Sequence, residues 1–210
     1  MNIHIVTQGG AAGEMAATSS PIVHYSLPET SFLRTGHPFF IPQFAEPCLA
    51  FPHVVLRLSR LGHCVSREFA PRYYNAVTLG VHFVAQRLWL QAQRDGLPWT
   101  TATGFDGCAT VGKMCPLPQG EEVKHLGVRP SLWTDVGHTL LIDGRVVHEG
   151  HTAAWSHAVD DMVSALSAWH TLREGDLIFC GTRAEGIPVQ VDSHVDGYIE
   201  KTHVLSFNIK

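Results

Sequence analysis

The sequence of 210 residues has little charge, with 15 Lys and Arg against 19 Asp and Glu. The basic residues form no cluster, which argues against a nucleic-acid-binding surface. No apolar run is long enough to span a bilayer, and the first residues, MNIHIVTQGG, lack the basic head and apolar block of a secretion signal. These absences predict a cytoplasmic protein that binds neither nucleic acid nor a membrane.

Several site motifs are missing as well. The five cysteines include no CxxC pair and are odd in number, which argues against a zinc knuckle or a disulfide framework and favours free thiols. There is no G-x-S-x-G elbow for a serine nucleophile. The glycines of GGAAG do not complete a dinucleotide-binding loop. The common nucleophile and nucleotide sites are therefore not predicted.

What is present is typical of one globular domain. Hydrophobic residues make up 45% of the chain, and its length suits a single core. Residues 9–20, GGAAGEMAATSS, are small and unpatterned. We expect a weakly ordered N-terminal segment over residues 1–20 and one domain over residues 21–210.

Alternating strands dominate the pattern. HVVLRLSRLG alternates from residue 53 onward, and Asp143-Gly144 is the favoured pair for a hairpin turn. Helical spacing is seen over residues 82–94, closed by Gly96, and over residues 157–169. Because no regular βαβ alternation follows, the prediction is an α+β, mainly β fold: a mixed, largely antiparallel sandwich or roll with short outer helices.

The order of several segments resembles the fumarylacetoacetate hydrolase family, in particular the branch of 2-keto-4-pentenoate hydratases and 2-hydroxyhepta-2,4-diene-1,7-dioate isomerases. The similarity covers about residue 21 to the end and, more weakly, the N-terminal piece. The segments that carry it are PETSFLRTGHPFFIPQF, RLSRLGHCVSREFAPRYYNAVTLGV, GLPWTTATGFDG, DGRVVHEGHT and LREGDLIFCGT.

The resemblance implies chemistry on 2-oxo acids and acylpyruvates, and a homodimer. The family holds Mg²⁺ or Mn²⁺ with a Glu-x-Glu pair and an Asp. A hard divalent ion prefers such oxygen ligands and polarises the oxygens of the substrate.

The positions of those carboxylates are changed in this chain. The Glu-x-Glu pair falls on Phe51-Pro52-His53, and the Asp falls on His82. The other family site positions are also replaced, with only Gly181 and Thr182 of the substrate loop retained. In this chain Gly13 stands where the family has its base, and Thr103 stands where the family has a lysine. Gln86, Arg87 and Trp89 stand where the family has the Arg, Asp and Gln of a helical element.

Two functions follow from these departures. The first is a catalytically degenerate binding or structural subunit without the family's metal and without another cofactor. The second is a divergent hydrolase, hydratase or isomerase that acts on small 2-oxo acids through a rebuilt site. No catalytic residue is assigned, and Gly181, Thr182 and Thr103 are the candidates for binding a small carboxylate.

Histidines leave a metal site open as an alternative. His53 and His82 could bind a softer ion such as Zn²⁺, although two histidines filling a pocket without an ion is the favoured interpretation. His148, His151 and His157 suggest a zinc cluster in HEGHTAAWSH, but a polar rim is favoured there too. We expect His53 and His82 to meet in one pocket.

Overall fold

The computed structural model describes residues 1–8, 21–117, 135–182 and 185–210. Strands make up most of the described secondary structure. They are β1 Ile3–Gln8, β2 Ile22–Leu27, β3 Phe32–Leu33, β4 Cys48–Leu58, β5 Tyr74–Ala85, β6 Ala109–Val111, β7 Cys115–Pro116, β8 Gly137–Ile142, β9 Arg145–His151, β10 Leu177–Thr182, β11 Ile187–Val189, β12 His194–Ile199 and β13 Thr202–Asn208. The α-helices are α1 Gln86–Asp95, α2 Thr100–Thr103 and α3 Val159–Trp169. In these ranges no helix is long and apolar enough to cross a membrane.

The strands form two sheets. The larger has nine strands in the order β2-β1-β10-β4-β5-β6-β3, with β11 paired to β4 and β7 paired to β5. The smaller has four strands in the order β13-β12-β8-β9. Most pairs are antiparallel, whereas β1 pairs with β10 in parallel. The predicted α+β, mainly β fold is confirmed.

Alternation along the central strands gives the large sheet two buried faces. Ile5 and Phe179 belong to a core that also contains Leu140 and Leu205 of the small sheet. Neighbouring residues on the same strands belong to a second core, packed against the apolar side of α3. The strand residues of that second core include Val6, Ile178 and Cys180, and its helix residues include Met162, Val163 and Leu166. The period of two residues thus builds a layer on each side of the sheet.

The local predictions for turns and helix ends agree with the structure. Asp143 and Gly144 have φ angles of 51° and 75°, as the turn between β8 and β9 requires. Gly96 ends α1 in the left-handed conformation, with φ 65°. The second predicted helix is α3, which begins two residues later than expected.

Two predictions about local structure differ from the structure. Residues 3–8, within the segment expected to be weakly ordered, form the buried strand β1 between β2 and β10; residues 9–20 lie outside the described ranges. The helix expected from residue 82 begins only at Gln86, because β5 continues to Ala85 in register with β4. Long-range pairing of a buried apolar run overrides its helical spacing.

Candidate functional site

The register of β4 and β5 brings onto one face of the sheet the three positions that the resemblance aligns with the carboxylates of the family. Phe51 lies opposite His82, and His53 lies opposite Gly80, two residues away on the same strand. Residues opposite or diagonal to each other in an antiparallel pair share a face. The ring centroids of His53 and His82 are 6.3 Å apart. The prediction that these two histidines meet is confirmed, although His82 lies on a strand and not at a helix start.

Both histidines line a cavity of about 330 Å³. Its walls come from the large sheet, from α1 and from the segment that leads through α2. The lining residues are Ile5, Thr7, Gln8, Pro21, Val23, Tyr25, Phe51, His53, His82, Val84, Trp89, Gln93, Trp99 and Thr103. Most of these side chains are apolar or aromatic, which is typical of a pocket for an organic molecule.

His82 is held in one orientation by a backbone hydrogen bond. Its Nε2 donates to the carbonyl oxygen of Thr103 at 2.7 Å. A carbonyl can only accept, so Nε2 carries the proton and Nδ1 is left as an acceptor. The Thr103 hydroxyl donates in turn to the carbonyl oxygen of Trp99 at 3.3 Å. Thr103 therefore orients His82 and lines the cavity.

The imidazoles of this cavity are neutral at pH 7. Burial, and then the neighbouring His82, lower the pKa of His53 to about 3, and the backbone of Cys180 opposes this shift only in part. Burial also lowers the pKa of His82 to about 4, against the effect of its bond to Thr103. The side chains are 4% and 1% exposed, so water cannot stabilise an added proton.

The donor atoms at this site do not fit Mg²⁺ or Mn²⁺. The described lining residues include no carboxylate, and the third position is the phenyl ring of Phe51, which meets Trp89 edge to face at 6.4 Å. Hard divalent ions bind through several oxygen atoms, whereas imidazole suits softer ions. Within the described ranges, no group of three or more His, Cys, Asp or Glu side chains could hold a metal ion.

The remaining candidate positions are dispersed. Gly181 is buried behind His53, where an added Cβ would come within 2.7 Å of Nδ1. It is absent from the described lining, as are Gln86 and Arg87 of α1. Thr182 ends β10, and Gly13 lies outside the described ranges.

The histidines near the end of β9 do not converge. His148 packs beside His138, with ring centroids 5.2 Å apart. His151 instead pairs with Asp135 at 2.9 Å, where both side chains are exposed. The backbone N–H of His157 donates to Oε1 of Gln8 at 2.6 Å. This separation agrees with the favoured polar rim.

Sequence reasoning missed Gln8, Tyr25 and Trp99 as cavity residues. Gln8 was missed because β1 was placed in a weakly ordered segment. The alternation in IHIVTQ, residues 3–8, was the available signal for a strand. Trp99 was missed because nothing in a single sequence indicates that the chain after α1 returns to the sheet.

The sequence matches the family model described as fumarylacetoacetate (FAA) hydrolase C-terminal over residues 3–209. Among relatives, it is 25% identical to a mitochondrial oxaloacetate tautomerase of Mus musculus, over 94% of this chain and 85% of the relative. It is also 25% identical to a second mitochondrial oxaloacetate tautomerase, from Arabidopsis thaliana, over 92% of this chain and 82% of the relative.

Solved structures share the fold at low identity. Fumarylpyruvate hydrolase from Pseudomonas aeruginosa, in complex with Mn²⁺ and pyruvate, superposes with a TM-score of 0.82 at 19% identity, covering 100% of this chain and 89% of that one. The 2-hydroxyhepta-2,4-diene-1,7-dioate isomerase from Mycobacterium marinum superposes with a TM-score of 0.79 at 24% identity, covering 99% of this chain and 73% of the isomerase chain. Because the family model matches residues 3–209 of its 210 residues, this chain belongs to the fumarylacetoacetate hydrolase family.

Proposed function

We propose that this chain is a member of the family that has lost metal-dependent turnover and retains the cavity for binding a small molecule. One observation carries the proposal: Phe51, His53 and His82 face each other where the resemblance places the three carboxylates of the family. A phenyl ring and two neutral imidazoles cannot replace three oxygen ligands of a hard ion.

The retained pocket supports binding over a purely structural role. The cavity of about 330 Å³ falls at the lower end of the usual range for small-molecule sites, about 300–1,000 Å³. Its walls are built on the paired strands β4 and β5, and the long antiparallel register holds them in place. The site is therefore a formed pocket without its ion-binding groups.

A rebuilt histidine enzyme is the second candidate. It is favoured by the 6.3 Å separation of His53 and His82 inside the cavity, which suits proton transfer to and from a bound molecule. Against it stand the pKa values of about 3 and 4, since a general base works best when its pKa is near the operating pH. Imidazoles this weakly basic are poor proton acceptors at pH 7.

The test is turnover of oxaloacetate, fumarylpyruvate and 2-hydroxyhepta-2,4-diene-1,7-dioate, each with Mn²⁺, with Mg²⁺ and with EDTA. We expect no rate above the protein-free reaction, and no heat of Mn²⁺ binding in calorimetry. A turnover number of about 1 s⁻¹ that EDTA abolishes would overturn the proposal. A metal-independent rate that His53→Ala or His82→Ala abolishes would establish the histidine enzyme instead.

The homodimer and the cytoplasmic location remain predictions from the sequence.

A further inference from the structure

A second pair of histidines lies on the inner face of the small sheet. In the register of β8 and β9, His138 lies opposite Gly150, and Leu140 lies opposite His148. Opposite and diagonal residues of an antiparallel pair share a face, and Leu140 on that face is fully buried in the core. His138 and His148 therefore belong to neighbouring strands and to the same face, with ring centroids 5.2 Å apart.

Gly150 leaves room at which both rings present the same nitrogen. A Cβ added at Gly150 would lie 2.8 Å from Nε2 of His138 and 3.4 Å from Nε2 of His148. Both Nε2 atoms thus border the small volume in which a side chain at this position would begin. Glycine suits a position where the backbone must leave such space open.

The Nε2 atom of His138 is free to accept. Its Nδ1 donates to the carbonyl oxygen of Val136 at 3.4 Å, and because a carbonyl can only accept, the proton is on Nδ1 and the lone pair is on Nε2. Burial, and then the neighbouring His148, lower the pKa of His138 to about 4, so this ring is neutral at pH 7. Histidine binds metal ions as a neutral imidazole, and the other ring nitrogen of such a ligand commonly donates to a backbone carbonyl.

The Nε2 atom of His148 is a second and independent indication of a ligand. It is buried without a hydrogen-bond partner among the residues that the structure describes. Burial also lowers the pKa of His148, which keeps its ring neutral. A buried polar atom of this kind is unfavourable unless another group supplies the missing interaction. One metal ion beside Gly150 would supply it to both rings.

The separation of the rings suits a single metal ion. Two imidazoles that bind the same ion through bonds of about 2.0–2.1 Å hold their ring centroids about 5 Å apart, and the observed separation is 5.2 Å. Imidazole suits Zn²⁺, Ni²⁺ and Cu²⁺, of which Cu²⁺ forms the most stable complexes. Two protein ligands leave positions for water, which can approach the half-buried His148.

We propose that His138 and His148 form a two-histidine site for a borderline divalent metal ion, with Cu²⁺ bound most tightly and water completing the coordination. The site goes beyond the proposed function, because neither histidine is among the described lining residues of the cavity. It also differs from the zinc cluster that the sequence suggests, since His138 of β8 is the second ligand, and not His151 or His157. A pair is compatible with the finding that no group of three or more such side chains could hold an ion in the described ranges.

The experiment follows the fluorescence of Trp155, whose ring meets that of His138 edge to face at 5.9 Å. Cu²⁺ quenches a nearby indole. Because the chain has five tryptophans, the signal of Trp155 is taken as the difference between the wild type and Trp155→Phe. We expect this signal to show saturable quenching by micromolar Cu²⁺ and none by millimolar Mn²⁺, which prefers oxygen ligands. The absence of saturable quenching by Cu²⁺ would overturn the proposal, and so would quenching by Mn²⁺ in the same concentration range.

Matched variants locate the ion. His148→Gln removes one ligand and should weaken Cu²⁺ binding at least about tenfold, whereas His151→Gln makes the same change at an exposed histidine of the same strand and should alter it less than about threefold. Gly150→Ala keeps both imidazoles but places its Cβ in the space for the ion, so it should weaken binding to an extent similar to that of His148→Gln. Equal losses in His148→Gln and His151→Gln would contradict the site, and this comparison decides the question even if Gly150→Ala does not fold.

Discussion

Two pairs of histidines in this chain are in opposite environments. His53 and His82 lie in the cavity, almost without solvent contact, and their lowered pKa values keep them neutral. On the small sheet, exposed His194 and His203 share Asp196, at 3.4 Å and 2.8 Å. Hydrogen bonding to Asn208, and then the nearby Asp196, raise the pKa of His194. Burial thus keeps this side chain neutral at one place, whereas at the other a carboxylate and an amide oxygen favour its protonated form.

The two environments differ in whether a carboxylate and water are available to stabilise the protonated histidine. At His194 a carboxylate and solvent both stabilise the proton, whereas at His53 neither is available among the described residues. Carboxylates buried in the cavity would in turn need a cation. Three buried carboxylates and the ion that they bind therefore act as one unit, and neutral groups at the same positions avoid the cost of burying an unpaired charge.

The largest predicted effect comes from restoring the carboxylates in the combined variant Phe51→Glu, His53→Glu and His82→Asp. In EDTA its melting temperature should fall by about 10 °C or more, because each unpaired buried carboxylate costs several kcal/mol. Millimolar Mn²⁺ should restore part of this loss, since ion binding stabilises the folded state. Thermal unfolding with and without Mn²⁺ measures both effects.

The control places the same residue changes on the surface, with Phe40→Glu, His37→Glu and His63→Asp. All three positions are exposed. This variant should melt within a few degrees of the wild type and should not respond to Mn²⁺. A folded cavity variant that is equally unresponsive to Mn²⁺ would show that the scaffold no longer supports the ion site.

Much of the scaffold could be predicted from local patterns. The alternation in β4, the Asp143-Gly144 turn and the Gly96 cap each depend on a few neighbouring residues. The end of β5 could not be predicted in this way. The spacing of apolar residues from His82 onward suits a helix, and only pairing with β4 keeps these residues in a strand. Local signals identify elements, and long-range pairing sets their limits.

The candidate site was predictable in part for the same reason. The meeting of His53 and His82 followed from aligning segments with a known family. Two other features of the site could not be predicted in this way. They are the hydrogen bond that orients His82 toward the Thr103 carbonyl and the bond from Ser156 to Gln8, and both join residues far apart in sequence. Thr103 was identified as a candidate for its side chain, yet its carbonyl makes the bond to His82.

Acid should destabilise the protein through its buried histidines. His82 has a folded pKa of about 4, below the unfolded value of about 6.5, so below pH 6.5 the unfolded chain binds a proton that the folded chain does not. Stability should fall by about 1.4 kcal/mol per pH unit for such a residue until the pH reaches its folded pKa. Urea unfolding at pH 7.5, 6.5 and 5 measures the slope.

The two histidine environments should respond in opposite directions to substitution. His82→Gln retains a donor for Thr103 and should reduce the loss between pH 6.5 and 5 by about 2 kcal/mol. His194 has a raised pKa, so it adds stability below pH 6.5 that disappears as the pH rises through its folded pKa. His194→Gln should therefore remove a gain in stability that the wild type makes as the pH falls from 7.5 to 6.5. Equal slopes in the two variants would contradict the contrast between them.

The smallest predicted effect is the energetic coupling between Gly181 and His53, because the absence of a side chain at Gly181 makes room for the His53 ring. An alanine Cβ here would lie 2.7 Å from Nδ1 and 3.2 Å from Cε1 of a ring that also contacts Phe179 edge to face at 5.9 Å. Because the buried ring must shift, Gly181→Ala should cost about 1–3 kcal/mol in the free energy of unfolding. Removing the ring with His53→Ala should relieve that clash, so urea unfolding of the double variant should show a loss smaller than the sum of the single losses by at least about 0.5 kcal/mol. Strictly additive losses would mean that Gly181 is required for another reason, such as contact with a ligand.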